Sequence, residues 1–360
     1  MTIIDRYISR EFVKIFFLTM ISFTLLYLIV DFFGRIRMFL SNNATFYQIA
    51  AHFFYGIPQI ISHTMPVAVL LASLLTFGTL SRHNEIVAMR ASGLSLYRTA
   101  LPLLFLAGVI SACAFLFNEF ITPFANQKAK YIEFVEVKKQ RKAGVFKQNQ
   151  IWYRSKNAVY NFGIFVPETN TLKKITINYF SPGSFNLVSR VDAREAVWKN
   201  NQWVFTDVLI SKFTGGEFPV IEKAASMVID LPERPSDIRI VQKDTDEMGF
   251  FELRNYIKKI ESEGYDATRY LVDMHGKIAF TLVNVILVVL GISFSLGSER
   301  SGGVARSIGT GVVIGFSYWI VFALAVSLGR SLTLPPFLAA WSANIVFAAA
   351  AAFLFMRVKT

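Results

Sequence analysis

The sequence predicts an α-helical integral membrane protein with six transmembrane helices and an all-β, jelly-roll-like domain inserted between helices 3 and 4. Three observations predict it. Apolar residues make up 53% of the 360-residue chain and charged residues only 17%, whereas an ordinary soluble domain carries about a quarter charged residues. The apolar residues gather into runs of about 20, the length that crosses ~30 Å of hydrocarbon as a helix. Between the third and fourth runs lies a polar insert of roughly 150 residues, long enough to bury a core of its own and rich in strand-forming segments.

The first run, Ile15–Phe33, follows a leader bearing Arg6, Arg10 and Lys14. It is longer than the apolar core of a secretory signal, and no small-residue cleavage site follows, so the expectation is a retained anchor. The other runs fall at Ile57–Leu80, Leu96–Phe117, Ile278–Leu296, Val304–Leu328 and Pro336–Met356. The expected organisation is helices 1–3 in residues 1–137, the β domain in 138–248, an amphipathic connection and lead-in in 249–277, and helices 4–6 in 278–360. Orientation follows from basic residues in short loops. The leader, Arg82, Arg90 and Arg98 after the second run, Arg300 and Arg306 after the fourth, and Arg357 with Lys359 at the end all fall on one side. That side is expected to be cytoplasmic, with both termini inside and the β domain outside. Arg35, Arg37 and Arg330 fall on the other side as exceptions.

A net charge of +12 would suggest a nucleic-acid partner in a soluble protein. Here part of the excess flanks the spans and faces anionic headgroups, so no nucleic acid is expected. The single cysteine, Cys113, excludes an intrachain disulfide.

Within the insert, "VYNFGIFV", "KKITINYF", "SRVDAREAVW" and "QWVFTDVLI" are rich in Val, Ile, Phe, Tyr and Trp, the composition of strands. Lys199, Asn200 and Asn201 between Trp198 and Trp203 signal a hairpin turn. Several short strands with turn signals between them point to a sandwich or jelly roll. Beyond them, Phe250, Leu253, Tyr256, Ile257 and Ile260 recur at helical spacing, with Gly264 as the stop. That amphipathic helix either lies at the membrane–water boundary or packs on the β domain.

No catalytic spacing is present. The chain has no H-E-x-x-H, no G-x-S-x-G, no Cys/His metal cluster and no G-x-x-x-x-G-K-[ST] phosphate loop. Of the four histidines, His52, His63, His83 and His275, none is at ligand spacing to another. His63 in "SHTMP" reads as a hydrogen-bonded structural residue beside a proline kink. Asp31 and Glu119 sit near the outer ends of their spans, and Asn284 is the clearest polar side chain deep in the fourth. Ion-coupled carriers place carboxylates near mid-membrane, so an energy source on another chain fits better.

That gives a reason for "LSRHNEIVAMRASGLS", a polar helix expected over residues 81–93. Ser81 can cap its start, Glu85 sits in its first turns, Arg90 near its end, and Gly93 can take the left-handed stop. Ile86 and Met89 share a face, while Arg82, Glu85 and Arg90 supply charge. On the cytoplasmic side such a helix either lies on headgroups or is gripped by an ATPase.

Together "IDRYISREF", "SRHNEIVAMRASGLS", "ITPFANQKAKY" and "LRNYIKKIESEGYDATRYLVDMHGKI" resemble the lipopolysaccharide-export permeases, the LptF/LptG family, over the whole chain. "DRYI" and "GYDATRY" look closer to the G-type subunit. The resemblance implies a non-catalytic permease subunit of an ABC transporter in a bacterial inner membrane. Such a permease extracts lipopolysaccharide and passes it to a periplasmic bridge. The implied partners are a sister permease (LptF-like), a dimeric cytoplasmic ATPase (LptB-like), a single-span periplasmic regulator (LptC-like) and a bridge protein (LptA-like). No cofactor is implied on this chain; ATP and magnesium belong to the partner ATPase. Arg82, Glu85, Ile86, Met89 and Arg90 become the candidates for ATPase coupling.

Lipid A carries phosphates and several acyl chains, so its site needs outer-leaflet cations and an apolar wall. Arg35, Arg37, Lys128 and Lys130 are the candidates for phosphate or core sugar, the alternative being that they snorkel to ordinary headgroups. Phe23, Leu26, Tyr27, Phe316, Trp319 and Phe322 are the candidate acyl-chain wall, although aromatics on a span also face lipid or a neighbouring helix. Gly311 and Gly315 seat either the sister permease or a helix of the same bundle. In the β domain, Phe162, Ile164, Phe165, Ile175, Ile177 and Tyr179 line a groove for acyl chains or form the core. The competing reading is a membrane-anchored envelope assembly or sensor module that binds partners through its β domain without transport.

Overall fold

The computed structural model describes residues 3–139, 144–147, 150–154, 157–166, 169–181, 186–213, 218–231, 234–235, 238, 244–262, 266–297 and 304–357. They form two compact units, Met1–Ala129 with Thr245–Thr360, and Lys130–Asp244. The β unit therefore lies slightly N-terminal of the expected 138–248.

Eight α-helices are described: α1 (Ile3–Ser41), α2 (Phe46–Arg82), α3 (Glu85–Ala91), α4 (Leu96–Tyr131), α5 (Phe250–Ser262), α6 (Thr268–Gly297), α7 (Val304–Arg330) and α8 (Pro336–Arg357). Six of them (α1, α2, α4, α6, α7 and α8) are long and apolar enough to cross a membrane. The first three spans are much longer than their apolar runs. α1 has 39 residues, about 58 Å of helix against ~30 Å of hydrocarbon, so its polar ends continue helically on both sides. Thr45 and Gln48 open α2 with a reciprocal capping box, Gln48 N–H to Thr45 Oγ1 at 3.3 Å and Thr45 N–H to Gln48 Oε1 at 2.9 Å.

α2 is the spine of the helical unit, packing against α1, α3, α6 and α7. One side of it joins Ile8, Phe12 and Phe16 of α1, Leu96, Ala100 and Leu103 of α4, and Val288 and Ile292 of α6 in a buried cluster. The other side joins Leu70, Leu71 and Leu74 to Val283, Leu287 and Leu290 of α6 and Tyr318 of α7. The closest approach is at Gly291 of α6, where a Cβ would stand 1.9 Å from Ser73 Oγ and 3.0 Å from the Leu70 carbonyl oxygen. Gly311 and Gly315 of α7 likewise face α2: a Cβ on Gly311 would meet Leu71 and Leu74, and one on Gly315 would meet Val67. Both glycines therefore seat a helix of their own bundle. Small residues serve here because lipid is as apolar as Leu, and helices in it associate through close packing. A polar tie joins the last three spans: Tyr318 donates to Asn344 Oδ1 at 2.8 Å, and Asn344 Nδ2 donates to the Ala279 carbonyl at 2.7 Å.

The described part of the insert between spans three and four is mostly β, with helical positions at Pro235 and Ile238. Its strands are β1 (Gly144–Lys147), β2 (Gln150–Arg154), β3 (Ala158–Val166), β4 (Thr171–Phe180), β5 (Leu187–Lys199), β6 (Gln202–Lys212) and β7 (Val220–Ile229). They form one antiparallel sheet in sequence order, an up-and-down meander; the crossover of a jelly roll is not among the described strands. The turn at Asn200 and Asn201 has both residues left-handed, φ 50° and 64°, as a two-residue hairpin requires, and it sets Trp198 opposite Trp203.

The sheet also carries a transverse crease. Pairing is interrupted on one row, Gly163, Lys174, Arg194, Asp207 and Ala225, across five neighbouring strands. Lys174 and Asp207 are left-handed there, with φ 55° and 53°. At this row the spacing of core residues changes from two to three: Phe162 then Phe165, Leu172 then Ile175, Ala193 then Ala196, Phe205 then Val208. An alternating strand would turn its apolar set to the other face after such a step. Because all the strands slip together, one face keeps one core. The strands approach closely at the crease, where a Cβ on Gly163 would lie 3.0 Å from Lys174 Cβ.

α5 buries Leu253, Tyr256, Ile257 and Ile260, the face expected from its spacing. Its contacts are within the helical unit: Tyr256 meets Tyr270 of α6 edge-on, and Phe250 meets Phe115 of α4.

Replacing Gly291 by Ala is expected to lower the melting temperature of the detergent-solubilised protein, because helix backbone and Ser73 leave no room for a methyl group. Adding Ser73→Gly should recover part of the loss; equal melting of wild type and Gly291→Ala would refute this packing.

Candidate functional site

The polar segment after the second span folds differently in detail from its sequence expectation. α2 continues through Arg82, so Ser81 is inside that helix and caps nothing. The chain then breaks at Asn84, left-handed with φ 59°, and the short α3 covers only Glu85–Ala91. Its end is as expected: Gly93 is left-handed with φ 88°. The Leu94 N–H bonds the Met89 carbonyl at 3.1 Å and the Gly93 N–H bonds Arg90 at 2.9 Å, a Schellman close.

Ile86 is only 6% exposed and sits in the cluster with Ile8, Phe12, Leu96 and Ala100. Met89 packs against the same cluster. These two side chains therefore seat α3 on the bundle, which corrects the expectation that Ile86 offers itself to a partner. The exposed residues here are Arg82, His83, Asn84, Val87, Ala88, Arg90 and Ala91, and Val87, 49% exposed, carries no charge by which the sequence could mark it.

Two side-chain ties hold α1 to this end of the bundle. Arg98 makes a bidentate ion pair with Asp5, Nη1 to Oδ1 at 2.7 Å and Nη2 to Oδ2 at 2.9 Å. The Asp5 side chain is nearly buried, at 10% exposure, where a paired fork geometry satisfies a carboxylate best. Tyr7 donates to Glu85 Oε1 at 3.2 Å. Glu85 thus already has an intrachain donor, with the His83 ring 3.9 Å away.

At the opposite end of the spans, Arg35 and Arg37 lie within α1, not beyond it. Arg35 is paired with Asp31 at 2.8 Å, while Arg37 is exposed and makes no ion pair among the described residues. Lys128 is exposed with its ammonium 6.0 Å from the Phe124 ring, and Lys130 belongs to the β unit, paired with Asp244. The six aromatic and apolar wall candidates do not converge. Phe23 packs against the core; Leu26, Tyr27 and Phe316 are exposed; Trp319 and Phe322 line a cavity.

That cavity measures about 500 Å³ and lies wholly in the helical unit. α2 contributes Gln59, Ser62 and His63, and α4 contributes Asn118, Thr122 and Asn126. α6 contributes Asp273, Lys277 and Phe280, and α7 contributes Trp319, Phe322 and Arg330. Thr245 and Asp246, where the chain re-enters this unit, complete the rim. Asn118 Oδ1 accepts from Ser62 at 2.6 Å and Thr122 at 3.1 Å. Arg330 holds Asp273 with Nε at 2.9 Å and Nη2 at 2.6 Å, and Thr245 donates to the other Asp273 oxygen at 2.8 Å. The re-entering 3-10 turn Thr245–Glu247 is gripped as well: Asn126 and Gln127 donate to the carbonyls of Asp246 and Glu247 at 3.0 and 2.8 Å. Glu119 accepts from the backbone N–H groups of Phe250 and Phe251, capping α5. His63 faces the cavity and touches Phe280 edge-on, with ring centroids 6.0 Å apart. Among the described residues no His, Cys, Asp or Glu cluster is arranged to hold a metal.

In the β unit, Phe162, Phe165, Ile175 and Ile177 belong to the sheet's core, with Tyr179 packed at its margin. Burial pushes the Tyr179 phenol above its ordinary range, as expected for a ring against that core. Ile164, one residue before Phe165, is buried outside the cluster, on the other face by the strand's alternation.

The pattern of six spans, a motif-bearing turn after the second and a β insert after the third extends over the whole chain, and so does a match to a known family. The profile of the lipopolysaccharide export system permeases LptF/LptG covers residues 6–357. The chain belongs to the LptF/LptG family. It is similar to the lipopolysaccharide export system permease protein LptG of Escherichia coli (strain K12), 24% identical over 373 residues that cover 99% of this chain and 98% of that protein. LptG of Haemophilus influenzae (strain Rd) is 23% identical over 321 residues, 88% of each chain. As a member of this family the chain is a multi-pass inner-membrane permease component of the lipopolysaccharide export system, not itself a catalyst.

Truncating Ile86 to Ala is expected to destabilise the solubilised protein by roughly 2–4 kcal/mol, as for other buried aliphatic side chains. Val87→Ser should leave its melting temperature unchanged. A reversed order would mean that α3 is not seated as described.

Proposed function

We propose that this chain is the G-type permease subunit, and that α3 receives the stroke of a dimeric cytoplasmic ATPase. The observation that carries the reading is the build of α3. A short helix stands on a rigid apolar seat with Val87, Arg82 and Arg90 turned outward, in a chain without a nucleotide-binding loop. A partner surface with an apolar pocket and acidic rim fits it. Both termini and α3 lie on the cytoplasmic side by the distribution of basic residues in short loops, which leaves the β unit in the periplasm. Tyr7–Glu85 then passes movement of α3 to the first span, and Asp5–Arg98 ties the first span to the third.

The cargo is lipopolysaccharide, taken between this chain and an LptF-like sister. Arg37 and Lys128, exposed at the periplasmic ends of α1 and α4, meet its phosphates or core sugars, with Arg35 and Lys130 beside them in sequence and exchanging an internal carboxylate for the ligand. The outward apolar residues of α1 and α7, Leu26, Tyr27 and Phe316, meet the acyl chains. In the β unit, β7 is exposed along most of its length and is the last strand of the sheet, an edge that suits strand addition by a bridge protein of LptA or LptC type.

Cysteine crosslinking from Val87 or Arg90 is expected to capture the ATPase, and a photo-reactive residue at Arg37 is expected to capture lipopolysaccharide in an ATP-dependent manner. A Val87→Asp variant should assemble poorly with the ATPase while keeping its own melting temperature. Normal assembly and export by that variant would refute the role of α3.

A further inference from the structure

Not every charge around the 500 Å³ cavity is paired by direct contact. Asp273 is fully engaged, taking two bonds from Arg330 and one from Thr245. That leaves one cation and one anion on the lining, Lys277 and Asp246. Neither side chain makes a hydrogen bond or an ion pair within 4.0 Å among the described residues. The Asp246 backbone carbonyl is held by Asn126 and Lys277 lies within α6, and both residues line the cavity. Asn118, also on the lining, spends its oxygen on Ser62 and Thr122, which leaves its amide N–H groups as the donors it has to offer. Phe280, Trp319, Phe322, Ala323 and Val326 form the rest of the wall.

A simple anion is a poor occupant, because the Lys277 site also presents the Asp246 carboxylate. A simple cation meets Lys277. Two opposite charges on one lining, with no direct bond between them, match a ligand that carries both signs a few ångströms apart, with an apolar tail. The volume is of the size that accepts a head group and the start of a chain; known ligand pockets run from about 300 to 1,000 Å³.

We propose that this cavity binds the phosphoethanolamine head of a membrane phospholipid, separately from the cargo path. Lys277 and the Asn118 amide take the phosphate, Asp246 takes the primary ammonium, and the glycerol and first methylenes lie along Phe280, Phe322 and Trp319. A bound phospholipid would bridge α2, α4, α6 and α7 with the re-entering segment at Thr245–Glu247, making the packing of this end of the bundle dependent on lipid composition.

The test is native mass spectrometry of the full-length protein, delipidated in detergent and offered dioleoyl phosphatidylethanolamine, phosphatidylglycerol or phosphatidylcholine. Wild type is expected to retain one phosphatidylethanolamine in preference to the other two. Lys277→Gln should weaken that retention about tenfold, the loss of one charge-assisted contact. Asp246→Asn should abolish the preference over phosphatidylglycerol while sparing phosphate binding. The wild-type preference is read without any variant, so a misfolded variant leaves the proposal open to refutation. Equal retention of the three lipids, or unchanged preference in both folded variants, overturns it. Displacement of the bound phosphatidylethanolamine by lipopolysaccharide, with or without an ethanolamine substituent on its phosphates, would assign the cavity to the cargo instead and overturn it too.

Discussion

Gly291 lying against Ser73 is the contact on which the rest of the helical unit depends. In lipid there is no hydrophobic gain in bringing two apolar helices together, so the bundle is held where backbones approach and many weak contacts form at once. α2 offers such contacts on two sides, to Gly291 of α6 and to Gly311 and Gly315 of α7. It therefore behaves as a spine, and α3 is simply its continuation after the break at Asn84. Force applied to α3 reaches the spine through the chain and reaches α1 and α4 through Asp5–Arg98, Tyr7–Glu85 and the Ile86 cluster. The proposed coupling to an ATPase on another chain needs such a rigid input, and a flexible loop would dissipate it.

The other end of the spans solves a different problem. The chain leaves the helical unit after α4 and must re-enter it at Thr245 with backbone groups that neither helix nor sheet satisfies. Side chains from α4 supply the missing partners: Asn126 and Gln127 for the carbonyls, Glu119 for the first N–H groups of α5. Near hydrocarbon an unsatisfied peptide group costs several kcal/mol, which explains why these polar residues are kept on an otherwise apolar helix. The cavity with Lys277 and Asp246 lies directly against this junction, so polar lining and chain re-entry share one set of side chains.

Much of this was legible in the sequence, because it rests on local periodicity or local turn chemistry. Six apolar runs of about 20 residues determine six spans, β-branched and aromatic segments determine the insert, Asn200–Asn201 determines a hairpin, and Gly93 determines where α3 stops. The spacing of Leu253, Tyr256, Ile257 and Ile260 likewise determined which face of α5 is buried. Tertiary structure decided what depends on residues distant in sequence. Ile86 turned inward because Ile8 and Leu96 are there to receive it. Gly311 and Gly315 serve α2 rather than a second subunit because Val67, Leu71 and Leu74 fill the space a Cβ would need. The crease was written in the sequence as a step of three between core residues in four consecutive strands, but only their pairing aligns those steps into one row. The cavity has no sequence signature at all, since its lining comes from four helices and a connecting segment. Periodicity reports which side of an element is apolar; which neighbour meets that side is set by long-range packing, and that is why the site residues were harder to read than the spans.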